Sequence, residues 1–217
     1  MAVKFASVYV ILDAASAPPG RLMDIAQEIL EAGARPVQYR DKAASSRELF
    51  ERGRELVLRA RAANAAMIIN DRADIAMMCG AAGVHVGQDD IGVEAARAVC
   101  GAGRMVGVST HTLEQVRAAD RTSADYIAIG PIFRTSTKAN PDPVVGLETI
   151  SEARKLTSKP LVAIGGITLD NAAEVWQAGA DCVAVVRDIV GAESPGARTQ
   201  EYLERAKRLS RSDNLSW

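Results

Sequence analysis

A chain of 217 residues, 48% hydrophobic and 24% charged, is long enough to bury one core and needs no second domain. Its 26 basic and 27 acidic side chains nearly cancel to a formal charge of −1, and the basic residues are scattered, so neither nucleic acid nor an acidic membrane surface is an expected partner. Three cysteines (Cys79, Cys100, Cys182) lack CxxC spacing, no apolar run reaches membrane-spanning length and no signal-peptide pattern precedes the first strand, which together point to a reduced, cytoplasmic protein.

Strands rich in Val, Ile or Met are expected at residues 7–13, 35–40, 67–71, 83–87, 105–110, 126–131, 160–165 and 182–187. Amphipathic helical stretches fall at 22–32, 46–63, 72–79, 93–100, 113–119, 147–155, 170–177 and 200–209. Ser46 and Asp170 read as capping residues, and Gly33, Gly80 and Gly179 suit left-handed C-caps that lead into the next strand. Trp176, Met77 and Met78 read as core. Eight strand–helix units of about 27 residues predict an α/β fold, a single-domain (β/α)8 TIM barrel over residues 1–209, with 210–217 as a loose tail. A doubly wound sheet is less favoured, because no GxGxxG follows the first strand.

In such a barrel the chemistry belongs at the C-terminal ends of the strands, and the polar clusters of this chain all fall there. Gln38, Arg40 and Lys42 alternate onto one side as the second strand enters its loop. Arg40 and Lys42 would suit a phosphate or diphosphate, the one as a planar fork and the other as a mobile point charge; alternatively Arg40 pairs with a carboxylate and Lys42 is solvated. Asp71 and Asp90 end neighbouring strands and can share a cation, for which Mg2+ with its preference for carboxylates, water and phosphate oxygens is the natural choice. Asp89 rivals Asp90, while a helix cap at Asp71 and a turn at Asp89 or Asp90 are the plainer alternatives. Gly165-Gly166 and Val186-Arg187-Asp188 follow strands seven and eight, where this fold often holds phosphate, although a glycine pair can also serve the turn alone. His85 and His111 lack a Ser or Cys partner motif and receive no catalytic role.

The run Gly130-Pro131-Ile132-Phe133-Arg134-Thr135-Ser136-Thr137-Lys138 completes the pattern. Together with Gln38-Tyr39-Arg40-Asp41-Lys42, Asn70-Asp71-Arg72-Ala73-Asp74, Gly83-Val84-His85-Val86-Gly87-Gln88-Asp89-Asp90, Gly107-Val108-Ser109, Ala124-Asp125-Tyr126 and Ala163-Ile164-Gly165-Gly166-Ile167, it makes the chain resemble the thiamine phosphate synthase family from about Tyr9 to Ile189. The resemblance implies transfer of hydroxymethylpyrimidine from its diphosphate to hydroxyethylthiazole phosphate, with Mg2+ as cofactor. It further implies that Gln38, Arg40, Lys42, Asn70, Ser109 and Lys138 hold the pyrimidine diphosphate, with Lys138, Arg40 and Ser109 as the catalytic set. Asp71 and Asp90 would bind the metal, and Thr135, Thr137, Gly166, Val186 and Arg187 would receive the thiazole phosphate. Arg187 departs from the small hydroxyl residue common there; it either grips the phosphate or is held by Asp188. The 134–143 segment is long and polar enough to be expected as a mobile lid. A thiazole tautomerase-like isomerase and a non-catalytic phosphate-ester binding barrel are the alternatives.

Overall fold

A computed structural model describes residues 7–137 and 142–212. Eight parallel strands close on themselves in sequence order: β1 (Val8–Asp13), β2 (Val37–Arg40), β3 (Met67–Asn70), β4 (Gly83–Val86), β5 (Met105–Thr110), β6 (Tyr126–Ile129), β7 (Leu161–Ile164) and β8 (Cys182–Val185). Closure is made by Val8, Tyr9 and Val10 of β1, which pair with Val183, Ala184 and Val185 of β8. Around them lie α1 (Leu22–Glu31), α2 (Ser46–Ala62), α3 (Ala73–Cys79), α4 (Val93–Cys100), α5 (Leu113–Asp120), α6 (Gly146–Leu156), α7 (Ala172–Gln177), a single-turn α8 (Arg187–Val190) and α9 (Pro195–Ser212). The expected (β/α)8 TIM barrel is therefore the fold.

Period-two alternation divides the strand residues between two cores. Outward side chains such as Val10, Leu12, Val37, Ile69, Val84 and Ile127 pack under the helices. Inward ones, among them Tyr9, Ile11, Ile68, Met105, Tyr126, Val162 and Cys182, fill the barrel. The same alternation carries Asp13, Gln38, Arg40, Asn70, His85 and Ser109 to the inner side, toward the C-terminal mouth.

Several local expectations need correction. The cap of α2 is Ser45, not Ser46, because Ser45-Ser46-Arg47-Glu48 sets a glutamate three residues on and closes a reciprocal capping box. The residue before α7 is Asn171, whose side chain makes no cap, so Asp170 does not serve as one. Strand eight stops at Val185, and Arg187 opens α8 instead of ending the strand. Met77 and Met78 are exposed, 45% and 59%; the two turns of α3 turn Ala73, Ile75, Ala76 and Cys79 inward. The last helix runs past Leu209 to Ser212. No described helix is long and apolar enough to cross a membrane.

Candidate active site

At the mouth, Asp13 faces Arg40 in the β1–β2 register, and the guanidinium donates to Asp13 Oδ1 at 2.5 Å while the Ser16 hydroxyl donates to Oδ2 at 2.7 Å. The carboxylate pairing weighed for Arg40 is thus present. A guanidinium has five N–H donors, however, so one bond to a buried carboxylate orients Arg40 without exhausting it. Asp13 was not singled out from sequence, although an acidic residue closing an otherwise apolar strand was the available signal.

Lys42 is not merely solvated, since its ammonium donates to Asp71 Oδ2. Asp71 sits in left-handed backbone at φ 60°, with its N–H on the His85 carbonyl at 2.7 Å. It is no helix cap: Arg72 holds that position before α3. Burial pushes the Asp71 carboxyl above the usual range, Lys42 opposes this, and the neighbouring Asp90 adds to it. Asp90 Oδ2 accepts the Gly87 N–H at 2.7 Å, a turn contact that fixes the second carboxylate beside the first. Asp90 is the neighbouring carboxylate that acts on Asp71, and Asp89 borders the same cavity. Among the described residues no cluster of three or more His, Cys, Asp or Glu forms a closed metal cage. Two crowded carboxylates with room for other oxygens suit Mg2+, whose hydration shell is surrendered reluctantly.

Beyond β6, Thr135 and Thr137 are tied to each other, with the Thr137 N–H on Thr135 Oγ1 at 3.3 Å. Lys138 and part of the expected lid lie outside the described residues. The Gly165-Gly166 pair serves the turn and more. Both have positive φ, and a Cβ on Gly166 would stand 2.4 Å from the Arg134 carbonyl oxygen, so only glycine lets the β7 and β6 loops approach. Across from them Arg187 donates to the Ser136 hydroxyl. Asp188 is turned away, accepting the Tyr202 hydroxyl at 2.7 Å and the Leu169 N–H at 3.1 Å. Of the two roles considered for Arg187, capture by Asp188 is therefore not the one observed.

Deeper in the barrel, Gln38 Nε2 donates to the Tyr9 hydroxyl at 2.8 Å, Tyr9 and Tyr126 hydroxyls meet at 3.0 Å, and Tyr126 meets His85 Nδ1 at 2.9 Å. His85 Nε2 in turn meets Ser109 Oγ at 2.9 Å. His85 is a hydrogen-bonded interior imidazole, and Tyr9 and Tyr126, which local pattern places only on apolar strands, are its partners in this line. His111 Nδ1 bonds the Gly130 carbonyl at 2.5 Å, with its other nitrogen 3.4 Å from Asp142.

Two cavities open at this end of the barrel. One, of about 760 Å3, is bordered by Arg134 to Thr137, Gly165, Gly166, Val186 and Arg187. The other, of about 620 Å3, is bordered by Lys42, Asn70, Asp71, His85, Asp89 and Asp90. Arg40, Ser109, His111 and Asp142 border both, so the cavities adjoin across that wall. Every described site residue named from sequence borders one or the other except Gln38, which is buried beneath them against Tyr9.

The thiamine monophosphate synthase family model matches residues 8–189. A thiamine-phosphate synthase of Koribacter versatilis is 48% identical over 206 residues, covering 93% of this chain and 96% of that protein. One from Roseiflexus castenholzii is 42% identical over 193 residues, 89% of this chain and 85% of its own length. Among solved structures, thiamine phosphate pyrophosphorylase from Pyrococcus furiosus superposes with a TM-score of 0.85 at 33% identity, covering 94% of this chain and 96% of that one.

Proposed function

The chain belongs to the thiamine monophosphate synthase family, and from that membership we propose that the two adjoining cavities hold its two substrates on either side of the Arg40–Ser109 wall. It is a thiamine-phosphate synthase, a transferase of thiamine biosynthesis. The isomerase and non-catalytic readings find no support, since the relatives named above are synthases.

The reaction breaks the C–O bond between the pyrimidine methylene and diphosphate and forms a C–N bond to the thiazole nitrogen. Diphosphate leaves with the bonding electrons, and the nitrogen lone pair supplies the new bond, so no protein nucleophile is needed. Negative charge grows on the leaving group, so stabilisation is greatest where cations already stand. Arg40, Lys42 and Lys138 would take this role, with Asn70 and Ser109 donating hydrogen bonds and Gln38 supporting the pyrimidine end from below. Asp71 and Asp90 would hold Mg2+, which when bound would neutralise diphosphate charge. Thr135, Thr137, the Gly166 turn, Val186 and Arg187 would receive the thiazole phosphate, whose ring then lies toward the shared wall. Confinement between the two sites brings nitrogen and carbon into line and limits access of water to the pyrimidine cation. Three buried free thiols fit a reducing cytoplasm.

The adjoining of the two cavities carries this reading. Its test is to mix hydroxymethylpyrimidine diphosphate, hydroxyethylthiazole phosphate and Mg2+ with the protein and follow diphosphate and thiamine phosphate together. Equimolar formation is expected; diphosphate release without thiamine phosphate would refute the two-cavity arrangement.

A further inference from the structure

An interior chain of hydrogen bonds runs from Gln38 through Tyr9, Tyr126 and His85 to Ser109. Its members come from β1, β2, β4, β5 and β6, and Gln38, Tyr9, Tyr126 and His85 are at most 7% exposed. Room is made for it: a Cβ on Gly107 would lie 2.0 Å from Tyr126 Cζ, and the His85 and Tyr126 rings stack with centroids 5.4 Å apart. Side chains fill a barrel of this size, and here a polar line runs beside the apolar ones.

We propose that Gln38, Tyr9, Tyr126 and His85 form a positioning relay that keeps the His85 proton on Nε2 and thereby presents the Ser109 hydroxyl hydrogen to an acceptor atom of the pyrimidine diphosphate. The second half rests on the placement of that substrate above; the first does not. Polarity follows step by step. The Gln38 nitrogen only donates, so the Tyr9 oxygen accepts there, and the relay assigns the Tyr9 hydrogen to the Tyr126 oxygen, a contact that either phenol can donate. Tyr126 then donates to Nδ1, which leaves Nε2–H to donate to Ser109 Oγ. The serine hydrogen is free to point into the cavities that Ser109 borders. Reversed polarity would aim the Ser109 lone pairs at an anion gathered by Arg40 and Lys42, which is repulsive. Burial holds both phenols far above their ordinary titration range, so they remain donors throughout the working pH range.

The tautomer is directly readable by long-range 1H–15N NMR on the 15N-labelled, substrate-free protein, because the chain has only two histidines and His85→Gln identifies the relevant signals. A neutral His85 protonated at Nε2 is expected; a ring protonated at Nδ1, or at both nitrogens, overturns the relay whatever the activity. Tyr126→Phe keeps the ring and removes the donor to Nδ1. It should mix the tautomers and lower kcat about tenfold or more, with KM for the thiazole phosphate within about twofold. Unchanged kcat in a folded variant overturns the link to Ser109, and if this variant does not fold, Tyr9→Phe one bond further back applies the same criterion. Absence of any turnover in the wild type would instead fault the assigned reaction and leave the tautomer result standing.

Discussion

At the scale of single residues, the sharpest distinctions concern charge that is already committed and charge that is available. Burial raises the Asp71 carboxyl, Asp90 adds to that, and Lys42, whose side chain is 56% exposed, opposes both. A divalent cation that binds the native pair should stabilise the fold by about 2.7 kcal/mol at a hundredfold excess over its Kd. Thermal melts with and without Mg2+ are therefore expected to separate in the wild type and in Asp89→Asn, and to coincide in Asp71→Asn and Asp90→Asn. An unchanged Mg2+ effect in both of the latter would remove the metal from this pair. Arg187 is available in the other sense, since Asp188 belongs to Tyr202 and Leu169. Arg187→Ser should weaken thiazole phosphate binding by about 1.5–3 kcal/mol, the scale of a charge-assisted hydrogen bond, and leave pyrimidine diphosphate binding nearly intact. Calorimetric titration of each ligand measures this, and equal affinity for the thiazole phosphate in both proteins would exclude direct contact.

At the scale of elements, the site residues fall on the last residues of the strands and on the loops that follow. The helix after β2 begins as the capping box dictates, with the Glu48 carboxylate on the Ser45 N–H at 2.9 Å and the Glu48 N–H on the Ser45 hydroxyl at 3.3 Å. That start matters to the site because Asp41, in the preceding turn, accepts the Ala43 and Ala44 N–H groups and Arg52, and so shapes the loop bearing Lys42. Ser45→Ala is expected to cost about 1 kcal/mol in urea unfolding, whereas Ser46→Ala should cost little. The reverse order of effects would return the cap to Ser46. The shift by one residue was legible in the spacing to Glu48; the exposure of Met77 and Met78 was not, because in a helix of two turns the neighbours, and not the periodicity, choose the buried side.

At the scale of the molecule, all four tyrosines are buried, at 1% exposure or less. Burial is the leading cause in each case: it pushes Tyr39 up to about 12 and the other three above that. The native state thus keeps protons that the unfolded chain gives up near pH 10. Stability from these groups is complete below pH 10 and is lost as pH rises toward the native values, by about 1.4 kcal/mol per pH unit for each phenol. In an alkaline titration the tyrosinate ultraviolet band should therefore appear together with loss of circular dichroism. A tyrosinate signal rising near pH 10 in a protein that stays folded would contradict the burial of these side chains.

Apolar runs of strand length, glycines ahead of the next strand and polar clusters at each strand's end are local properties, and they were enough to establish the barrel, its functional rim and most of the residues that border the two cavities. Local pattern could not set Asp90 against Asp71, release Arg187 from its sequence neighbour Asp188, or join Tyr9 to Tyr126 across 117 positions of chain. These depend on distances through space that exist only once the strands have paired around the barrel. A side chain's type limits the bonds it can make, but which partner it meets, and whether water competes for it, is settled by packing.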